Sequence, residues 1–288
     1  MNAIPVLEIG GSHVTAALID LAAGRVLARQ DVPLPLVAGR EELFDAFVAA
    51  GRGIAAPADA AWGVAIPGPF DYAAGIGRFE GVAKFEALNG ADVGAALRAG
   101  LGAPAIRFLN DADAFGVGEV AAGAARGHRR AVCLTLGTGV GSSFIADGYP
   151  VKSGDQVPPD GFVYVLTHRG RDLEDWMSRR ALRRAFRDTT GQEVDVIDIA
   201  RLAREGDQSA HRVWQEGLTA MTETIAPWVR SFGADIVVIG GAIARAWDLV
   251  GPLTSAGFAA AAAPVEVVPA EHPDDAALFG AAQWAIAS

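Results

Sequence analysis

Apolar-rich runs give three strand signals over the first 35 residues: Ile4–Ile9, Val14–Asp20 and Arg25–Asp31. Gly10-Gly11-Ser12 separates the first two runs at hairpin length, and Gly24 marks the next turn. Pro33 and Pro35 break the pattern. Arg40–Ala50 then carries apolar residues at helical spacing (Leu43, Phe44, Phe47). Ala60–Ile66 reads as a buried strand, Ala91–Leu101 as a helix and Ala105–Leu109 as a strand, with a helix starting near Asp111.

The pattern then restarts. Arg130–Leu136 and Val140–Asp147 read as strands around Gly137-Thr138-Gly139, so strand–glycine turn–strand occurs twice. From Leu173 the chain is mainly helical: Leu173–Arg187, Asp195–Glu205 and about Asp207–Phe232, where Pro227 predicts a kink or a break. A strand at Asp235–Ile239 leads into Gly240-Gly241-Ala242 and another helix. Val265–Val268 and Asp274–Ala287 are the last strand and helix. Hairpins mixed with strand–helix alternation imply two α/β layers, and 288 residues suggest about two domains.

Composition narrows the classes. Hydrophobic residues make up 51%, enough for sizeable cores. A net charge of −10 argues against nucleic acid as a partner. No run reaches the length of a membrane span, and the N-terminus lacks the pattern of a signal peptide. The single cysteine, Cys133, excludes an internal disulfide and a cysteine-rich zinc site, and fits a cytoplasmic location. The five histidines show no metal-ligand spacing. SRRALRRAFR (178–187) reads as a solvated amphipathic helix.

Three glycine turns after apolar strands are the chemical signal. Glycine lets backbone N–H groups approach an anion, and Ser12 and Thr138 add hydroxyls. None is a GxxxxGK[ST] loop, and no GxGxxG opens a helix after the first strand. Asp111 has two readings: an N-cap, or a carboxylate at the carboxyl end of a strand, where α/β proteins bind ligands.

The motifs together resemble the ROK family of sugar kinases, in the actin-like ATPase superfamily. EIGGS (8–12) looks like the family's DIGGT, FLNDADA (108–114) like its NDAN segment, and LTLGTGVGSS (134–143) like its second phosphate motif. VVIGGAI (237–243) looks like the adenosine motif and LFGAAQWA (278–285) like the terminal GAA helix. The resemblance implies a two-lobed actin-like (ribonuclease H-like) α/β fold with mixed sheets flanked by helices and an active site in the interlobe cleft. The lobes expected are 1–125 plus 272–288, and 126–271.

The resemblance also implies roles. Asp111 matches the catalytic base and Asn110 the neighbouring acceptor ligand. Gly10, Gly11, Ser12, Gly137, Thr138 and Gly139 match the phosphate turns around ATP, and Gly240, Gly241 and Ala242 the adenosine side. Gly68 and Lys84 fall in segments that approach the sugar in similar proteins. Glu174 matches the sugar-binding glutamate and Asp160 replaces the family glutamate that precedes the zinc motif. Glu8 stands where the family has a magnesium-associated Asp; it keeps the charge, for Mg2+ through water or for a bond to the turn backbone.

Many family members carry a zinc site of the form GHx(9–11)CxCGxxGCxE. The comparable stretch here, 158–182, has no cysteine and is short, so no zinc is expected. The motif's His falls near Val163, and His168 lies in the shortened loop. The implied activity is ATP-dependent phosphorylation of a hexose at its 6-position, with an amino sugar or carbocyclic pseudo-sugar as alternative acceptors. A sugar-responsive regulator fits poorly, because the first motif starts at residue 8, and intact motifs argue against a silent sugar-binding module. Similar kinases are often homodimers.

Overall fold

A computed structural model describes residues 3–35, 37–82 and 84–287, in two compact units, Met1–Ala122 with Asp275–Ser288, and Gly123–Asp274. In the first unit the strands Ala3–Ile9, His13–Asp20 and Arg25–Pro33 run antiparallel, with Glu8 opposite Thr15 and Thr15 opposite Asp31. Trp62–Ile66 and Ile106–Asn110 add in parallel on the other side of the first strand. WGVAI of Trp62–Ile66 is buried throughout, as a central strand covered on both faces must be. Arg25–Pro33 lies at the sheet edge, and its charged, largely exposed side chains discourage pairing with another chain.

Helix Arg40–Arg52 buries Leu43 and Phe47 in this unit's core, and Val93–Leu101 is capped by the Asp92 carboxylate, which accepts from Ala95 N. The helices Asp111–Ala122 and Ala276–Ile286 cross through glycines. A Cβ on Gly118 would stand 1.8 Å from the Ala276 carbonyl oxygen, and one on Gly280 1.8 Å from that of Ala114. The terminal GAA segment therefore clamps the helix that begins at Asp111.

The second unit repeats the scheme. Arg130–Leu136, Val140–Ala146 and Tyr149–Pro150 form an antiparallel meander, and Ile236–Gly240 and Glu266–Pro269 add in parallel beside the first of them. Numbering each unit's five sheet strands in chain order, both sheets read 3-2-1-4-5. Helix Gln208–Phe232 crosses this core with Trp214, Leu218, Met221 and Ile225 fully buried.

Two expectations need correction. Pro227 sits inside Gln208–Phe232 without ending it. Both Pro227 and Glu223, whose carbonyl loses its amide donor, lie on the exposed side, where water can satisfy that oxygen. The helix expected over Leu173–Arg187 is split: a short 3-10 turn, Leu173–Asp175, precedes the α-helix Arg179–Thr190. Ser178 starts the latter, its hydroxyl accepting from Ala181 N. That helix's arginines pair with Asp175, Asp188, Glu193 and Asp195, as a solvated face would.

Candidate active site

In the first unit the chemistry gathers at the carboxyl ends of the parallel strands. Ile106–Asn110 passes directly into Asp111–Ala122. The helix cap is Asn110, and Asp111 is the first helical residue: Asn110 Oδ1 accepts from Ala112 N at 3.0 Å and from Asp113 N at 3.4 Å. Asn110 is buried, and its amide nitrogen donates to the Tyr72 hydroxyl at 3.1 Å. Asp111 is freed for another task, with an exposed side chain and Oδ1 accepting from Ala112 N at 2.9 Å. The protein mass around its carboxyl raises its pKa, the Ala112 N–H opposes this, and the charge of Asp113 adds to the rise.

Tyr72 is a residue that sequence reasoning missed. Its hydroxyl reaches the Ile66 carbonyl at 3.4 Å, and a Cβ on Gly68 would lie 3.3 Å from it. Gly68, Tyr72 and Asn110 thus form one polar corner beside Asp111. Nothing local in the sequence assigned the tyrosine a partner. Lys84 is committed elsewhere in the unit, its Nζ donating to the Pro35 carbonyl.

Glu8 ends the first strand just before the Gly10–Ser12 turn, which is closed by Gly10 N to His13 O at 3.0 Å. Across the sheet Thr15 Oγ1 donates to Asp31 at 2.6 Å, and Arg29 bridges Asp31 and Asp275 at 3.0 and 2.8 Å. Burial pushes Glu8 up to about 7; the charges of Asp111, Asp275 and Asp31 add to the rise and Arg29 counters it. Among the described residues no group of three or more His, Cys, Asp and Glu is gathered to hold a metal ion.

In the second unit the Gly137–Gly139 turn is braced from below. Gly137 N donates to Gly139 O, Arg179 N to Gly137 O, and Val140 N to Glu174 Oε1 at 2.9 Å. A Cβ on Gly139 would stand 2.2 Å from that same carboxylate oxygen, so glycine is needed for Glu174 to reach the turn. Gly241 has φ of 86°, and a Cβ there would stand 2.4 Å from Leu136 O; its primary demand is close packing of the two strands. Gly240 ends its strand and Ala242 opens a short 3-10 turn. Asp160 is exposed in a left-handed conformation, φ 53°, which Asp tolerates better than most residues.

Residues 5–288 match the ROK family. The chain belongs to this family. It is 31% identical over 201 residues to a glucokinase of Thermotoga maritima, a span of 60% of this chain and 63% of that protein. An N-acetyl-D-glucosamine kinase of Shigella boydii is 26% identical over 83% of each chain. The crystal structure of a ROK hexokinase from Thermus thermophilus, 25% identical, covers 97% of this chain and 96% of its own with a TM-score of 0.76. The fold is accordingly the actin-like ATPase fold, with a mixed sheet of the same strand order in each unit.

Where many ROK proteins carry the zinc motif, this chain has an aromatic clasp. Thr167–His168 and Arg171–Asp172 form a small antiparallel ladder. Trp176 Nε1 donates to the His168 carbonyl at 3.1 Å, the His168 ring stands edge-on to the indole, and the Arg171 guanidinium lies 4.4 Å from its centroid. Val163, near the position of the family's His, is fully buried.

Proposed function

We propose that this ROK-family chain is an ATP-dependent carbohydrate kinase that phosphorylates the primary hydroxyl of a hexose, at the 6-position of a glucose-like ring, with Asp111 as general base. The observation that carries the reading is the division of labour at the strand end: Asn110 caps the helix, so the Asp111 carboxylate is left projecting. Asp111 takes the proton of the acceptor hydroxyl as that oxygen attacks the γ-phosphorus, and the bond to the bridging oxygen breaks to release ADP. The base must be ionised, and its pKa is raised, so activity falls on acidification at a higher pH than an ordinary aspartate would give.

Asn110, held by Tyr72, and Gly68 line the acceptor approach on the first unit. Glu174 and Asp160 are its assigned contacts on the second, with Lys84 supporting the loop through Pro35. The turns Gly10-Gly11-Ser12 and Gly137-Thr138-Gly139 offer N–H and hydroxyl donors to phosphate oxygens, and Gly240-Gly241-Ala242 serves the adenosine. The carboxylates fit Mg2+: a divalent cation would relieve the crowding that lifts Glu8, and an Mg2+ ion needs few protein ligands beside phosphates and water. Glu8 would hold it through water, and the ion would neutralise charge on the transferred phosphoryl group.

An N-acetylated amino sugar is the second reading. It is favoured by the Shigella relative and by burial of the residue at the family's His position, which removes one reader of the anomeric end. A coupled ADP-release screen across hexoses, N-acetylhexosamines and cyclitols decides between them. Asp111→Asn in that assay should lower kcat by about 100-fold or more while the acceptor Kd stays within threefold. Near-normal turnover in the variant would remove Asp111 from the role of base.

A further inference from the structure

The loop between Pro158 and Leu166 is fixed by a buried hydroxyl. Ser142 Oγ donates to the Gly161 carbonyl at 2.8 Å and accepts from Val163 N at 2.9 Å, with Ser142 and Val163 fully buried. Holding those two backbone groups sets the side chains on either side of Val163. Phe162 and Tyr164 stack, with ring centroids 5.3 Å apart and 29° between planes, and the Lys152 ammonium lies 4.4 Å over the Phe162 ring. Tyr164 is 45% exposed, unusual for so large a ring in a pinned loop.

Partial burial raises the pKa of Tyr164, and the charges of Asp160 and Glu174 add to the rise. Its hydroxyl has no hydrogen-bond partner among the described residues. Glu174 itself is anchored to the Gly137–Gly139 turn through Val140 N. The turn Val163–Val165 that carries Tyr164 packs against the turn Leu173–Asp175 that carries Glu174, with Leu173 N donating to the Leu166 carbonyl at 3.0 Å, and Asp160 lies in the same loop as Tyr164. Such a surface suits a polyhydroxylated ring, which offers an apolar C–H face to an aromatic and hydroxyls to a phenol and carboxylates.

We infer that Tyr164 is an acceptor-recognition residue, donating from its phenol to one ring hydroxyl of the sugar on a platform it forms with Phe162. The inference rests on the kinase reading above and deepens it, naming a specificity determinant where the family's zinc-site histidine is missing. A tyrosine reads a hydroxyl without a metal and keeps its proton at neutral pH.

The test is steady-state kinetics of wild type, Tyr164→Phe and Tyr164→Ala on the best acceptor from the screen and on its monodeoxy analogues. Tyr164→Phe should raise the acceptor KM about 5- to 10-fold, the scale of one neutral hydrogen bond, with kcat and the KM for ATP within twofold of wild type. At one deoxy position wild type and Tyr164→Phe should have equal KM, because the hydroxyl read by the phenol is gone. Tyr164→Ala should lose a further severalfold through the ring. The inference is overturned if the acceptor KM moves less than twofold, if the KM for ATP rises in step, or if every deoxy sugar shows the same ratio. A wild-type protein inactive on every acceptor overturns the kinase reading and this inference with it; an active wild type matched by Tyr164→Phe overturns the inference alone.

Discussion

Glu8→Gln isolates the electrostatic load at the end of the first strand. The glutamate is pushed from its ordinary 4.5 to about 7, first by burial and next by the charge of Asp111. At about 1.4 kcal/mol per pH unit that displacement corresponds to about 3 kcal/mol, trimmed to about 2–3 kcal/mol because the side chain keeps some contact with solvent. A raised carboxyl pKa means the folded protein binds more protons than the unfolded chain between those two values. Stability therefore falls as pH rises from about 4.5 to about 7 and levels off above. Glutamine cannot ionise, so the variant lacks that loss. Urea unfolding of wild type and Glu8→Gln, at pH 5 and pH 8 without divalent cation or nucleotide, should show the variant gaining about 1.5–2 kcal/mol relative to wild type between the two pH values, because part of the loss already falls below pH 5. Parallel pH profiles for the two proteins would refute the argument that burial and carboxylate neighbours destabilise the charged form of Glu8. A stabilised variant that is also a poorer kinase would identify that destabilisation as the cost of keeping an anion ready for a cation.

Two further perturbations probe the scaffold under Asp111. Asn110→Ala removes the cap of helix Asp111–Ala122 and the bond to Tyr72, and should cost about 1–3 kcal/mol in thermal or urea unfolding; a loss below a few tenths would mean the cap is replaceable. Gly280→Ala places a Cβ against the Ala114 carbonyl, backbone against backbone, and should cost about 3 kcal/mol or more, measured as a lowered Tm, where an alanine at the open Gly11 position costs little.

Much of this architecture was legible in the sequence because local signals agreed with tertiary demand. Ile4–Ile9 and Val14–Asp20 are apolar runs flanking a glycine turn, and Arg130–Leu136 repeats the signal, so both hairpins could be anticipated. Pro227 does not break its helix because it and Glu223, whose carbonyl it deprives of a donor, both lie on the exposed face. The N-cap reading of Asp111 misses by one residue: Asn110 is the cap, because the strand runs to Asn110 and the helix starts at Asp111, a matter of one peptide. Tyr72 and Tyr164 were invisible because each gains its surroundings only through folding: Tyr72 meets Asn110 across 38 positions, and the turn of Tyr164, in a loop pinned by Ser142, packs on the turn of Glu174. The resemblance singles out Glu174, but its hold on the Gly137–Gly139 turn arises only through folding, across 34 positions.

The crossing of Asp111–Ala122 with Ala276–Ile286 bears on the order in which a ribosome delivers this protein. A nascent chain that has reached residue 274 already holds every residue of the second unit, but in the first unit the glycine notch of Gly118 still lacks its partner. The helix that presents Asp111 is thus completed only by residues translated more than 150 positions after the aspartate itself.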